Sequence, residues 1–221
     1  MNVLIIGASR GIGFEFVRQY RAAGDRVVAT ARSDAALRAL SDLGAKPIKL
    51  DVADMASVSG LAWQIDGEAF DHVIFVAGVY GPRSNGLTPP TGPDFDAVMH
   101  TNVLGPMRVM PQLLDALAPG ARIGLLSSRM GSIGLRVSTA GWLYRASKAA
   151  ANSVLKDISI ALAGKAVCVS FHPGWVQTDM GGEDADIDVQ TSVAGMRTVL
   201  ATMKPEQTGS FFNYDGTPLA W

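Results

Sequence analysis

A tyrosine and a lysine stand four residues apart in the segment Tyr144-Arg-Ala-Ser-Lys148. On a helix this spacing places both side chains on one face, one turn apart. An ammonium group beside a phenol favours the phenolate, so Lys148 is expected to lower the pKa of Tyr144 from its usual value of about 10. A phenol tuned in this way can donate a proton to a carbonyl oxygen near neutral pH. The pair therefore predicts acid–base chemistry at a carbonyl group.

A serine pair precedes this tyrosine, and one of its hydroxyls could bind the same oxygen. Ser128 follows an apolar run, residues 122–126, that is typical of a buried strand. Its neighbour Ser127 is the competing candidate, and because adjacent strand residues point to opposite faces only one of them can serve. Taken alone, the pattern has a second interpretation, in which Tyr144 is a half-buried helix residue and Lys148 a solvated charge. The rest of the chain decides between the two.

The elements that would position these residues alternate regularly along the chain. The apolar patterns predict strands at residues 2–6, 26–31, 47–50, 72–76, 122–126, 166–171 and 210–213. They predict helices at residues 11–23, 34–43, 54–65, 95–117, 140–162 and 189–203, the fourth of which should be kinked or interrupted by Gly105, Pro106 and Pro111. Asp54 is expected to cap the third helix, and residues 80–93 read as a loop.

Strands that alternate with helices indicate a parallel sheet with helices on both faces. The prediction is a doubly wound α/β sheet of the Rossmann type with about seven strands, formed by one domain over residues 1–221. A ligand is expected outside the carboxyl ends of the strands, beside the first strand.

Composition excludes several classes of function. A formal net charge of −1, with no basic block, gives no reason to expect binding to nucleic acid or an anionic membrane surface. No run of about 18 apolar residues is present, and the first residues read as a strand, so a cytoplasmic protein is expected. The single cysteine, Cys168, lies in an apolar run and reads as an inert core residue. The histidines His72, His100 and His172 lack metal-ligand spacing, so no metal site is expected.

A glycine-rich turn, Gly7-Ala8-Ser9-Arg10-Gly11-Ile12-Gly13, follows the first strand directly. Glycines let the backbone approach a pyrophosphate, which the positive end of the following helix then favours. The alternative is a tight turn without a ligand, but three glycines in the first strand-to-helix turn favour a dinucleotide site.

The end of the second strand indicates which nicotinamide cofactor would bind. NAD sites usually carry an acidic residue there for the ribose hydroxyls, and this chain has Thr30-Ala31-Arg32 instead. Arg32 could stack on adenine and pair with a 2′-phosphate, and Arg10 could reach the same phosphate. The sequence therefore favours NADP(H) over NAD(H).

The serine followed by Tyr-x-x-x-Lys, together with the G-x-x-x-G-x-G turn, resembles the short-chain dehydrogenase/reductase family. The resemblance spans about residues 2–214 and assigns the catalytic serine to Ser128, second of its pair. Asn102, in His-Thr-Asn-Val, matches the family's fourth catalytic residue, which helps hold a water for a proton relay. Residues 172–182 and 212–216 are similar to the C-factor and sniffer-type carbonyl reductase branch of the family.

The resemblance also implies which residues would contact the cofactor. Beyond the glycine turn these are Arg32, the adenine-binding pair Asp51 and Val52, the ribose-binding pair Ala77 and Gly78, Tyr144, Lys148, and the carboxamide-binding segment with Pro173, Gly174, Val176 and Thr178.

Two departures from the family pattern stand out. Ile6 occupies a position that is usually threonine, so a hydrogen bond that steadies the turn is expected to be missing, and Phe75 and Val76 replace two asparagines.

The implied reaction is hydride transfer between the nicotinamide and a carbonyl/alcohol pair, with Tyr144 as general acid or base. An alternative is a nucleotide-binding regulatory or signalling protein of the C-factor type with little turnover. A sugar-nucleotide epimerase is disfavoured, because only about fifty residues follow strand six where that class needs about another hundred of substrate domain.

The substrate is weakly encoded. The segment 181–188 is short and acidic and reads as a mobile, solvated lid. An apolar or aromatic carbonyl compound is suggested by the large side chains near the motifs, which are Tyr80, Met130, Trp142, Trp175, Met180 and Trp221. The resemblance further suggests a homodimer through the helices at residues 95–117 and 140–162.

Overall fold

Seven parallel strands form one sheet in the order β3-β2-β1-β4-β5-β6-β7 in the computed structural model, which describes residues 1–221. The strands are β1 (Asn2–Ile6), β2 (Arg26–Ala31), β3 (Lys46–Lys49), β4 (Phe70–Phe75), β5 (Leu117–Leu126), β6 (Ala166–His172) and β7 (Ser210–Asn213). The α-helices are α1 (Gly11–Ala22), α2 (Asp34–Asp42), α3 (Met55–Ser59), α4 (Leu61–Gln64), α5 (Gly92–Met99), α6 (Gly105–Val109), α7 (Trp142–Ala161) and α8 (Val189–Thr202).

The sheet separates two apolar cores, because successive side chains of a strand point to opposite faces. In β1, Leu4 and Ile6 belong to one core and Val3 and Ile5 to the other. Helices α1, α2 and α8 cover one face of the sheet, and helices α3, α4, α6 and α7 cover the other. The predicted doubly wound α/β sheet is therefore confirmed, with all seven strands in the predicted positions along the chain.

The strand order reverses between β1 and β4, and this reversal opens the crevice that the fold predicts. The chain runs outward from β1 to β2 and β3, then crosses back to place β4 on the other side of β1. The two connections leave the carboxyl ends of β1 and β4 in opposite directions, so neither covers the space between them. The glycine-rich turn after β1 and the Ala77-Gly78 pair after β4 meet at this point.

The predicted third and fourth helices are interrupted. Residues 54–65 form two short helices that meet at Gly60, the first of them capped by Asp54, whose Oδ1 accepts from the Ala56 amide at 3.0 Å. The fourth begins at Gly92, earlier than predicted, because Thr91 caps it and Pro93 fits its first turn.

That fourth helix then changes its winding where proline removes a backbone donor. A π-helical turn covers His100–Leu104, α6 follows, and Met110–Ala116 is a 3₁₀ helix. Pro106 has no N–H to offer the carbonyl four residues earlier, that of Asn102. Leu117, predicted to end this helix, instead begins β5, where it pairs with Phe70. None of the helices is both long and apolar enough to cross a membrane.

Candidate active site

A crevice runs across the carboxyl ends of the central strands, where the fold places a ligand. It is lined by the glycine-rich turn, by the ends of β2 and β3, by Val76–Val79 after β4, by Ser127 after β5, by Tyr144 and Lys148 of α7, and by Pro173 and residues 178–180 after β6. Nearly all of the predicted cofactor-binding residues therefore surround one space. Gly13, Gly174 and Val176 do not line it.

The glycine-rich turn is packed too tightly to carry side chains at two of its positions. Gly7 has φ +89°, and a Cβ there would lie 2.7 Å from the Ala77 backbone. A Cβ on Gly13 would overlap the Gly7 carbonyl oxygen, so Gly13 serves the close packing of α1 against β1. The predicted turn thus brings its backbone directly beside the ribose-binding pair after β4.

Thr30 steadies this turn from the neighbouring strand. The Gly7 amide donates to Thr30 Oγ1 at 3.0 Å, and the Ala8 amide donates to the Thr30 carbonyl at 2.7 Å. The hydrogen bond expected to be missing because Ile6 replaces a threonine is therefore supplied by β2. The sequence contains Thr30 but does not show that its hydroxyl accepts a hydrogen bond from the glycine-rich turn.

Two arginines line the crevice, Arg32 directly after β2 and Arg10 in the glycine-rich turn. Arg10 Nη1 lies 2.8 Å from Asp179 Oδ2, and Arg32 Nη1 lies 3.9 Å from Asp51 Oδ2. Both guanidinium groups are largely exposed, with 77% and 72% of the side chains accessible. Exposed pairs of this kind are weak, so either arginine can turn toward an anion at small cost.

Helix α7 and the end of β5 bring the proton-transfer candidates together. Tyr144 and Lys148 are buried, and Lys148 Nζ donates to the Leu126 carbonyl at 2.8 Å and lies 5.7 Å from the centre of the Tyr144 ring. The Ser128 side chain lies beside the Tyr144 hydroxyl. Ser127 turns the other way and its Oγ donates to the Lys148 carbonyl at 3.4 Å. Of the two serines, the structure places Ser128 against the tyrosine hydroxyl.

The protonation of this pair differs from the sequence expectation. Burial raises the pKa of Tyr144 above its ordinary value, and the neighbouring Ser128 side chain opposes this only in part. Burial also lowers the pKa of Lys148 to about 8. The predicted lowering of the tyrosine pKa by Lys148 is not found, because desolvation outweighs every nearby charge and the lysine ammonium is bonded to a backbone carbonyl.

Asn102 lies in the π-helical turn and holds the strand-to-loop junction after β4. Its Oδ1 accepts from the Val79 amide at 2.8 Å, and its Nδ2 donates to the Val79 carbonyl at 2.8 Å and to Ser147 Oγ at 2.9 Å. A Cβ on Gly78 would lie 3.2 Å from Lys148 Nζ and 3.3 Å from Asn102 Oδ1, so the three residues adjoin. The widened turn aims this amide inward, a recurrent use of π-bulges.

The segment after β6 folds back on itself. The Gln177 amide donates to the Ile187 carbonyl at 2.9 Å, and the Ile187 amide donates to the Trp175 carbonyl at 3.2 Å. Gly174, with φ +86°, and the buried Val176 pack against Ile187, while Pro173 and Thr178 face the crevice. The acidic residues Glu183, Asp184 and Asp186 between these contacts are exposed, as expected of a solvated segment, and its mobility stays a prediction.

Four of the six large side chains proposed for a substrate pocket fall into two groups, and Met130 and Trp142 do not line the crevice. Tyr80 stacks on Tyr144, with ring centres 4.6 Å apart, and Met180 lines the crevice. Trp175 instead donates its indole N–H to the Gly181 carbonyl at 2.8 Å, and Trp221 stacks on Phe211. No group of three or more His, Cys, Asp or Glu side chains is placed to hold a metal ion.

Comparisons with known proteins agree with this site. Residues 1–188 match the sequence profile of the short chain dehydrogenase family. The chain is 44% identical to C-signal of Myxococcus xanthus over 123 residues, which is 54% of this chain and 74% of that protein.

Two solved structures with the same fold are similar over the whole chain. Carbonyl reductase Sniffer of D. melanogaster is 30% identical with a TM-score of 0.89, and the match covers 100% of this chain and 99% of Sniffer. A carbonyl reductase from chicken fatty liver, solved with NADPH bound, is 31% identical with a TM-score of 0.88, over 100% of this chain and 98% of that one. The predicted resemblance to the C-factor and sniffer-type branch is confirmed.

Replacing Thr30 tests the cross-strand support of the glycine-rich turn. Thr30→Val keeps the shape of the side chain but leaves the partly buried Gly7 amide without its protein partner, so the free energy of unfolding should fall by about 0.5–1.5 kcal/mol. Thr30→Ser keeps the hydroxyl and is the matched control. Urea denaturation followed by circular dichroism measures both, and equal stability of the two variants would contradict this account of the turn.

Proposed function

This chain belongs to the short-chain dehydrogenase/reductase family, and on that basis we propose that it is an NADP(H)-dependent oxidoreductase acting on a carbonyl/alcohol pair. The observation that carries the proposal is the buried contact of Tyr144 with Ser128, one helical turn from Lys148, at the edge of the crevice. The whole chain, residues 1–221, is proposed to act as one cofactor-binding domain.

The residues of the crevice fit a dinucleotide phosphate. The turn after β1 carries no side chain at Gly11, which lines the crevice at the amino end of α1 and leaves its backbone open to a pyrophosphate. Arg32 offers an exposed positive charge at the β2 end, where a 2′-phosphate would lie, and Arg10 offers a second from the glycine-rich turn. Asp51 and Val52, Ala77 and Gly78, and Pro173 and Thr178 supply the remaining walls. When bound, the nicotinamide supplies or accepts the hydride.

The chain's own residues would handle the proton. Because burial keeps the Tyr144 phenol protonated across the ordinary pH range, it is suited to donate a proton to a carbonyl oxygen as that oxygen gains charge. Ser128 would hold the same oxygen in line. Lys148 would add positive charge beside the phenol and bond the ribose, and Asn102 would hold the water that links Lys148 to solvent.

The proposed substrate is an apolar or aromatic carbonyl compound. Support comes from Met180, which lines the crevice, and from the similarity to two carbonyl reductases. A cytoplasmic location stays a prediction from the sequence.

A regulatory role is the second candidate, because C-signal of Myxococcus xanthus is among the relatives. A protein that only senses the dinucleotide has no need of Ser128, Tyr144, Lys148 and Asn102 together, which favours catalysis. Tight NADPH binding with negligible turnover across a panel of aldehydes, ketones and quinones would instead favour regulation.

Tyr144→Phe removes the proposed proton donor and nothing else. Turnover on the best carbonyl of the panel should fall by about 100-fold or more, the scale of general acid catalysis, while NADPH affinity stays close to that of the wild type. NADPH consumption measures the first and fluorescence titration the second. Wild-type turnover in this variant would remove Tyr144 from its assigned role.

Arg32→Asp places a carboxylate where the NADP phosphate would bind. NADPH affinity should weaken by about 10- to 100-fold, because a charge-assisted hydrogen bond is lost and a repulsion gained, and NADH should become the better cofactor. Arg38→Asp makes the same charge change on an exposed residue of α2 outside the crevice and should leave the preference unchanged. Titration with both cofactors separates these outcomes.

A second copy of this chain is proposed to cover the groove between the 3₁₀ helix and α7. The groove is lined by Met107, Met110, Pro111, Leu114, Val154, Asp157, Ile158, Ala161 and Leu162. A mostly apolar groove between two neighbouring elements, with Asp157 as its one charged residue, suits a self-complementary interface.

Leu114→Lys should turn the dimer into a monomer in analytical ultracentrifugation, because it buries a charge in the proposed interface. Trp63→Lys changes another exposed apolar residue outside the groove and should not. A wild-type monomer at micromolar concentration would exclude the pairing.

A further inference from the structure

We infer that Tyr80 is a positioning residue of this site, whose ring braces the Tyr144 ring so that its hydroxyl stays directed at Ser128. The inference rests on the proposed function, since it assumes that Tyr144 transfers the proton. The two rings are stacked with centres 4.6 Å apart and planes inclined by 24°. This is within the range of a favourable offset aromatic pair. The contact is made by the ring of Tyr144, which leaves its hydroxyl to Ser128.

The hydroxyl end of Tyr80 is fixed by a glycine at the start of the catalytic helix. Gly141 has φ +65° and precedes α7 directly, and a Cβ there would overlap the Tyr80 hydroxyl and lie 3.0 Å from Tyr80 Cζ. The Gly141 amide also donates to the Ser84 carbonyl at 2.9 Å, which ties the loop that carries Tyr80 to the same point. Gly141, which contacts Tyr80, and α7, which carries Tyr144, are thus consecutive in the chain.

The Tyr80 ring has a further neighbour in Arg83. The Arg83 guanidinium lies 5.7 Å from the ring centre, within the range of a cation–π contact, and its Nη2 lies 3.5 Å from the Met180 carbonyl. Gly81 packs against Val98 of α5, which leaves no room for a side chain there. Tyr80 is therefore held between Tyr144, Gly141 and Arg83, and its position is specified by the surrounding backbone rather than by chance contact.

The Tyr80 ring could act as a brace that positions Tyr144 or as a barrier that restricts the space for the substrate. The two roles predict opposite effects on turnover when the ring is removed. A brace restrains the reacting phenol, so its loss slows proton transfer and leaves cofactor binding alone. A barrier restricts the space for substrate, so its loss lets bulky carbonyl compounds react faster.

Tyr80→Leu and Tyr80→Phe separate these readings. Tyr80→Leu should lower kcat by about three- to tenfold, the size of a lost aromatic stack, with the KM for NADPH within about twofold of the wild type. The solvent deuterium isotope effect on kcat should rise, because proton transfer limits the rate more. Tyr80→Phe keeps the ring and should restore both values. The substrate is whichever panel carbonyl the wild type reduces fastest, and thermal unfolding verifies that each variant is folded.

A second route displaces the ring without removing it. Gly141→Ala should push the Tyr80 hydroxyl away and lower kcat to a similar extent, and adding Tyr80→Phe to that variant should recover part of the loss because the collision lies at the hydroxyl. The strain of alanine at positive φ lowers stability in both backgrounds equally, so it does not imitate this recovery.

The outcomes that overturn the inference are distinct from those that overturn the proposed function. An unchanged kcat in Tyr80→Leu, a higher kcat/KM for bulky carbonyls, or no recovery in the double variant would each refute the brace. If at the same time Tyr144→Phe is inactive, the proposed function stands and only the role of Tyr80 falls. If Tyr144→Phe keeps full turnover, the proposed function fails first.

Discussion

The close packing of α7 on the carboxyl end of β5 is the constraint on which the site depends. Lys148 Nζ bonds the Leu126 carbonyl, Ser127 Oγ bonds the Lys148 carbonyl, and Gly131 lies so near Lys148 that a Cβ there would be 2.8 Å from its carbonyl carbon. These contacts fix the position of α7 along the axis of β5. That position decides which serine lies beside the Tyr144 hydroxyl and how far the Lys148 side chain reaches into the crevice.

Burial and charge act differently at the two ends of the crevice. At the α7 end, desolvation dominates, so the tyrosine is held protonated and the lysine loses part of its usual preference for the charged form. Arg10 in the glycine-rich turn and Arg32 after β2 are exposed and only weakly paired, so both side chains are free to move. A polyanionic ligand is thereby favoured along this part of the crevice, while the α7 end excludes water around Tyr144 and Lys148.

The loops contribute more order than their composition suggests. The segment after β6 reads as acidic and solvated, yet its ends pair through Val176 and Ile187, and Ala185 is buried. The loop after β4 is rich in glycine and proline, yet it places Tyr80 against Tyr144 and Ser84 against Gly141. Backbone hydrogen bonds and close glycine contacts produce this order, and neither is visible in hydropathy or charge.

The sequence by itself determined the seven strands, the parallel doubly wound sheet, the glycine-rich turn and the spacing of Tyr144 and Lys148, since these follow from local periodicity and from residues close together in the chain. Even the interruption of the long helix could be predicted, because proline removes a donor wherever it stands. Three things were decided only by the tertiary structure: the partner of Thr30, the protonation of Tyr144, and the contact of Tyr80 with Tyr144 of α7. Each depends on which distant segments come within a few ångströms of one another and on how much water they exclude, and a linear pattern carries neither quantity.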